Sequence, residues 1–587
     1  MISSQAKKKY SDLLLFLLLF GGGLFATINM NIRHGEVRAP GKIWSDAAHY
    51  YVYMPATFIY HWNVYRFPYK IEKRFEGFTL NSRTGKVEIK TTYGLAFLLL
   101  PFFLMAHYSA LLFHFPSDGF STYYQVFMMI GSVFYFALGL LLLKKFLNNY
   151  LSPRVSILTV LILTLITQVY FYGIHSVLMS HIYSFFLFCA FLFLLKKFLD
   201  HPDRPWFLYI LLAADISLAV LVRPTNIIII LWMAFLDIRS WKEVWKRILF
   251  FLHPGRIALF VAIQFLVLVP QFMYWKYLSG HYIYYSYPGE VFYWFHPQII
   301  KEWFSPLNGL LPYHPGYLLF VAGMMLMISR RKINGMFSLV FFLMVSYMIS
   351  CWHCWYYGGS FGARPFTEFT AFMALPFGFL VAEVLRFKNL FVSSVLVFLT
   401  GILIYFNMTQ TYDVNIFTGG TWSWDDYFIH MKRYELVNFP VRKYTYKNDF
   451  QAVGMQGSFP GTNRHVRSRV LATYCDSGIL YNPYLSWQLD KVLYHPVEKI
   501  KAELWVYPDL DGRTGARLLM RIDNAGKVIF VRTVNIDDFI IKNGEWSKVT
   551  AGLSIPEWVD PGATFTFYVY NAGKKKFFMD DLQIDFE

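Results

Sequence analysis

The chain has 587 residues, 56% of them hydrophobic, 20% aromatic and only 16% charged, with a formal net charge of +17. That is more apolar surface than a soluble chain of this length buries, and it points to a multi-pass membrane protein. The basic residues fall in short clusters between apolar runs, which excludes a nucleic-acid binder and makes them topology signals. Four cysteines are too few for a disulfide scaffold. Cys351 and Cys354, in "CWHC", leave open a disulfide, a metal site or two plain thiols.

In chain order, Lys7, Lys8 and Lys9 precede "LLLFLLLFGGGLFATI". No small-residue cleavage site follows, so the segment reads as an uncleaved anchor with its lysines in the cytoplasm. Apolar runs able to cross about 30 Å of hydrocarbon begin near Ser11, Ser121, Pro153, Val177, Trp206, Asn226, Ile257, Tyr317, Gly335, Phe366 and Leu390, about eleven spans in all. A further run, Tyr93 to Phe113, is also long enough. If it crossed, Lys144 and Lys145 would face outside against the positive-inside rule, so it is expected to be interfacial or re-entrant. Parity then places outside the loop 31–120, the Gly173–His181 turn, Arg223, the loops 277–315 and 351–365, and everything after about Thr409.

After residue 408 the pattern changes. Residues 409–463 read as a linker with a short aromatic helix, and 464–587 as an all-β sandwich, because segments such as "KAELWVY" and "TFTFYVY" alternate between turn signals such as "DLDG" and "DNAGK". The expected architecture is an α-helical polytopic membrane module over residues 1–408 with a C-terminal periplasmic, jelly-roll-like domain.

The outside segments hold the candidate chemistry. In "IWSDAAHYYVYMPATFIYHW" a helix starting at Asp46 would align His49, Tyr50 and Tyr53 with the acid. Ser45 and Asp46 also suit a plain helix N-cap. Lys90, in "VEIKTTYG", either snorkels or meets a lipid-linked phosphate. Arg223, in "AVLVRPTNIIII", sits between apolar runs where charge is costly; it either binds an anion or pairs with Asp215. The aromatic loop around Glu290 and His296 offers sugar-stacking faces with an acid to accept hydroxyl bonds. In "WYYGGSFGARPF" the glycines around Ser360 and the cation Arg364 suit an anion. His175 and His181 are six apart, share no helix face, and suit polar lining better than a metal.

The stretches "SDAAHYYVYMPATFIY", "KTTYGLAFLLLPFFLMAH", "LVRPTN", "SGHYIYYSYPGEVFYWF", "FSPLNGLLPYHPG" and "WYYGGSFGARPF" together resemble the GT-C superfamily of polyprenyl-phosphate-sugar-dependent glycosyltransferases. Protein O-mannosyltransferases and the aminoarabinose transferase of lipid A are its familiar members. The resemblance, which covers roughly residues 10–405, implies inverting sugar transfer from a lipid-phosphate donor to a protein, lipid or glycan acceptor. It places the reaction at the periplasmic face of the bacterial cytoplasmic membrane. Asp46 maps onto the general base and Lys90 onto the phosphate contact. The second acid of the usual Asp-Glu pair is replaced here by Ala47, with Glu290 as a conjectural substitute. His49, Tyr53, His181, Arg223 and Arg364 complete the expected substrate-binding set. No cofactor is required by the sequence, and a divalent metal ion stays open. The tail resembles a carbohydrate-binding module, with Trp546, Trp558 and Tyr568 expected to be structural. The competing classes are a non-catalytic envelope glycan-binding or assembly protein and a lipid-linked sugar transporter.

Overall fold

The computed structural model describes residues 4–34, 43–287, 289–387, 389–412, 424, 427, 444–448, 450, 461–462, 465–467, 472–492, 497–509, 513–524, 526–540, 542–556, 559–560 and 562–587. The aromatic helix expected in the linker, Arg464 at the expected domain start, and Trp558 lie outside the described residues. The chain forms two compact units, Met1–Gly419 and Gly420–Glu587.

The first unit is helical: α1 (Ser4–His34), α2 (Asp46–Tyr51), α3 (Tyr53–Phe58), α4 (Ile71–Phe75), a small hairpin β1 (Thr79–Asn81) and β2 (Lys86–Glu88), then α5 (Gly94–Leu112) and α6 (Thr122–Leu147). It continues with α7 (Pro153–Leu165), α8 (Val169–Ile174), α9 (Ser180–Asp200), α10 (Trp206–Val222), α11 (Leu231–Phe235), α12 (Trp241–Phe251) and α13 (Pro254–Ser279). The last helices are α14 (Ile299–Phe304), α15 (Leu310–Tyr313), α16 (Tyr317–Ser329), α17 (Gly335–Ser350), α18 (Phe366–Val384) and α19 (Leu390–Tyr412). Among the described residues seven helices are long and apolar enough to cross a membrane, as befits a multi-pass membrane protein: α1, α5, α6, α9, α13, α18 and most of α19.

Five of the eleven expected spans are shorter, at 10–17 residues. The run expected from Asn226 differs most. It is a 3₁₀ segment, Pro224–Ile230, followed by the single turn of α11. Four consecutive isoleucines are stiff at χ1 and crowd an α-turn, and the preceding proline donates no backbone bond.

Charge and packing orient the bundle. Lys144 Nζ reaches Asp12 at 2.7 Å and Lys145 at 3.4 Å, so the start of α1 lies beside the end of α6. α5 runs antiparallel to α6 but stays beside its first half: His107 Nδ1 meets the Tyr124 hydroxyl at 2.7 Å, and the Tyr135 hydroxyl donates to Leu98 O at 2.6 Å. At its N-terminus Gly94 packs on the backbone of Leu221 and Val222, where a Cβ would come within 2.6 Å. α5 is thus one continuous helix laid antiparallel along the first half of α6, with its N-terminus on the end of α10.

Close approach elsewhere depends on glycine. A Cβ at Gly323 of α16 would lie 2.4 Å from the Pro376 carbonyl oxygen in α18. Small residues of this kind let helices pack backbone to backbone in the apolar phase. Gly323→Val is expected to destabilise the unit by about 1–3 kcal/mol, read as a lower unfolding temperature in detergent.

The second unit is an all-β sandwich: β3 (Tyr444–Asn448), β4 (Gly461–Thr462), β5 (Ala472–Cys475), β6 (Tyr481–Gln488), β7 (Lys499–Pro508), β8 (Arg517–Asn524), β9 (Lys527–Asn535), β10 (Ser547–Ser554), β11 (Thr564–Tyr570) and β12 (Phe577–Phe586). One sheet has the order β10-β7-β12-β5-β4 with β3 also on β12, and the other β6-β11-β8-β9. Strict alternation over "SKVTAGLS" and "KIKAELWVYP" turns Val549, Leu553, Leu504 and Val506 into the shared core. β3 falls inside 409–463; its "YTYKN" pattern pairs antiparallel with β12 and makes that stretch part of the sandwich. Tyr568 lies on an outer face, stacked on Tyr484 at 5.5 Å between ring centres.

Candidate functional site

The first large loop brings Asp46 to the bundle through a strained turn. Ser45 has φ +51° and ψ −123°, a region costly for a residue with a Cβ. Its N–H is held by Phe75 O at 2.8 Å, and Gly77 lets the α4 segment close over it, since a Cβ there would sit 2.4 Å from Ser45 O. The Ser45 side chain makes no cap bond, and Asp46 is the first helical residue. Its Oδ2 accepts from Arg364 Nη2 at 3.2 Å. The acid therefore faces a cation from the far end of the chain.

Seven of the eight expected site residues line one cavity of about 280 Å³: Asp46, His49, Lys90, His181, Arg223, Glu290 and Arg364. Tyr53 does not join them. α2 and α3 are separate short helices joined at Val52, and the Tyr53 hydroxyl donates to Thr91 O at 2.7 Å. Its ring packs on Tyr274 and lines a second, apolar groove of about 470 Å³. The Ser360 reading also changes. Gly358, Gly359, Ser360 and Gly362 are absent from the cavity wall, and the Ser360 hydroxyl donates to Gly362 O at 2.8 Å. This loop serves as a mount for Arg364, pinned by Asn308 Nδ2 on Tyr356 O and Gly358 O and by Gln168 Nε2 on Ala363 O. His296 is exposed and outside the cavity, while His175 is buried against Phe171. Cys351 and Cys354 are both free thiols.

A third acid of the cavity, Glu368, lies outside the expected set. It lies four residues after Arg364, in the first turn of α18. His181 donates Nδ1–H to Glu368 Oε2 at 2.8 Å, and in that tautomer Nε2 accepts from Arg223 Nη1 at 3.3 Å. Arg223 Nε lies 3.6 Å from Glu368 Oε1. Among the described residues Asp215, the alternative partner for Arg223, forms no ion pair, and its buried Oδ2 has no hydrogen-bond partner. Glu290 pairs with Lys90, whose ammonium also lies 4.8 Å from the centre of the Tyr287 ring. Tyr50, Tyr287, Tyr357 and Trp352 add aromatic walls.

Burial alone would raise the Asp46 carboxyl, but Arg364, with His49, Lys90 and His181, outweighs it and holds the group below the ordinary carboxylate range. Burial pushes His49 down despite the raising effect of Asp46, so its ring is neutral at neutral pH. Behind Tyr357, Glu302 is buried with neither oxygen hydrogen-bonded, and burial pushes it well above the usual range. Each cavity carboxylate is matched to a cation, and among the described residues no three His, Cys, Asp or Glu side chains converge to hold a metal ion. The donor set suits an anion and hydroxyl groups rather than a resident cation.

No protein-family model matches the sequence. No curated protein matches it either. Among solved structures, apo ArnT from Cupriavidus metallidurans aligns with a TM-score of 0.39 at 10% identity, covering 66% of this chain and 61% of ArnT. The apo oligosaccharyltransferase of Archaeoglobus fulgidus aligns with a TM-score of 0.41 at 13% identity, covering 74% of this chain and 59% of its own. The CBM22-1 xylan-binding domain of Xyn10C from Paenibacillus barcinonensis aligns with a TM-score of 0.17 at 16% identity, covering 24% of this chain and 92% of that domain. The chain thus spans about three fifths of the length of the two membrane proteins it is similar to.

Proposed function

We propose that this protein is a membrane glycosyltransferase of the GT-C type that moves a sugar from a polyprenyl-phosphate donor to a hydroxyl acceptor at the periplasmic face, with inversion. The observation that carries the reading is the meeting of Asp46 with Lys90, Arg223 and Arg364 around one cavity. The motifs that resemble the superfamily support the same assignment.

In this mechanism the ionised Asp46 removes the proton of the acceptor hydroxyl as its oxygen attacks the anomeric carbon. The bond from that carbon to the phosphate oxygen breaks on the opposite face, so the configuration inverts and polyprenyl phosphate departs with the bonding pair. Lys90, Arg223 and Arg364 stabilise the charge gathering on the leaving phosphate, an effect worth about 3–4 kcal/mol per well-placed donor. Glu368 and His181 hold Arg223 in position, and the aromatic walls supply stacking faces for the sugar ring. The Arg364 bond engages Oδ2 of Asp46, and the proton goes to Oδ1.

The test is turnover by the reconstituted full chain of labelled polyprenyl-phosphate hexoses and pentoses with an envelope extract as acceptor. Release of polyprenyl phosphate together with label in the acceptor supports the assignment. If no donor is consumed by folded protein under these conditions, the reading fails.

A further inference from the structure

α12 is a short helix with a large exposed apolar stripe. It begins with a built cap: Ser240 Oγ accepts from Glu243 N at 3.4 Å, and Glu243 Oε2 reaches back to Arg239 N at 3.0 Å. Its eleven residues are therefore an autonomous helix with defined ends. Val244 is its only fully buried side chain. Trp241, Trp245 and Leu249 recur every four residues, and with Leu252 at the C-cap they form one stripe. These four side chains are 74%, 63%, 66% and 55% exposed.

The stripe continues, round the helix, into the sector that carries Val244 and Ile248. Lys242 and Lys246 fall immediately on its other side. Arg204 and Arg256 pack on the other side of the helix, both against the Phe250 ring at 4.5 and 3.5 Å, and Arg256 also lies 5.5 Å from exposed Trp206. These elements sit at the end of α10 and α13 opposite the cavity: Arg223 ends α10 and Gln271, far along α13, holds Tyr93 N. α12 thus lies directly between the apolar segment α11 and the long apolar α13.

We infer that α12 lies in the head-group layer of the bilayer opposite the cavity, its Trp241, Trp245 and Leu249 in the acyl boundary and Lys242 and Lys246 on anionic phospholipid head groups. Three observations select that occupant. The exposed stripe is apolar and aromatic with lysines at its flank, the pattern of a helix lying in the interface plane. The cations are complementary to an anionic surface rather than to a neutral one. The chain runs from α12 through Leu252 and His253 straight into α13, a helix long and apolar enough to cross the membrane.

The full chain carrying benzoylphenylalanine at position 245, in nanodiscs of phosphatidylcholine alone or mixed with phosphatidylglycerol, tests the inference. Illumination is expected to give phospholipid adducts by mass spectrometry. Adducts only to protein, of this chain or another, or no adducts, would overturn it. Phosphatidylglycerol is expected to be enriched around the wild type, with that preference falling roughly fivefold for each of Lys242→Gln and Lys246→Gln. Equal preference in both variants would remove the anionic-lipid part of the inference. Because α12 touches none of the cavity, Asp46→Asn should leave both readouts unchanged, so this inference and the proposed reaction stand or fall separately.

Discussion

Replacing Asp46 with Asn is expected to lower kcat/KM for sugar transfer by about 10²–10⁴-fold, the usual worth of a general base, while the protein keeps its unfolding temperature. The substitution keeps the shape and a hydrogen-bond acceptor for Arg364 but removes the charge and the proton-accepting capacity. Ser45 and Gly77 shape the turn through the backbone, so the strained entry to α2 is untouched. The measurement is the initial rate with a polyprenyl-phosphate sugar, alongside melting and size-exclusion profiles. A folded D46N variant that turns over at the wild-type rate would show that the acid is structural and would end the proposed mechanism.

Arg364→Gln carries the second large effect, and it separates two roles. If Arg364 stabilises the departing phosphate, its loss lowers kcat/KM by about 10²–10³-fold. Arg364 also holds the Asp46 carboxyl down against the raising effect of burial. A base with a depressed pKa is already ionised throughout the range where the enzyme would be assayed, so the wild type should show no acid limb from Asp46 near neutral pH. Without the guanidinium, burial acts unopposed by its largest counterweight. Asp46 then takes up a proton at higher pH, and the acid limb of kcat/KM moves up. The pH profile of the variant decides the matter. A uniform fall in rate with an unmoved limb would assign Arg364 to the phosphate alone and contradict the coupling to Asp46.

The membrane architecture was legible in composition and in the spacing of basic clusters, because both reflect transfer energies that a sequence carries explicitly. Charge parity also grouped Asp46, Lys90, Arg223, Glu290 and Arg364 before any fold was available. Their pairings were not legible. Asp46 and Arg364 are 318 residues apart, and no periodicity reports such a contact. Glu368 is four residues after Arg364, in the first turn of the helix that follows the loop. An acid inside an apolar helix carries no local signature of its partner, and the His181 that Glu368 meets is 187 residues away. Tyr53 was misplaced because a heptad-like spacing assumes an unbroken helix, and the chain is broken between α2 and α3. The Asn226 run failed for a related reason: apolarity reports burial, while the local crowding of Ile227 to Ile230 sets the kind of helix.

The three ion pairs of the cavity have a kinetic consequence. Asp46, Glu290 and Glu368 offset Arg364, Lys90 and Arg223, so these six charges balance, and in the proposed mechanism a donor phosphate competes with the protein's own carboxylates. In the proposed mechanism a bound donor phosphate draws part of the Arg364 charge away from Asp46, which makes Oδ1 a stronger base while Oδ2 stays engaged. On that mechanism the expected order of addition is donor first, acceptor second. It also follows that Asp46→Asn should bind the lipid-phosphate donor more tightly than the wild type while failing to use it.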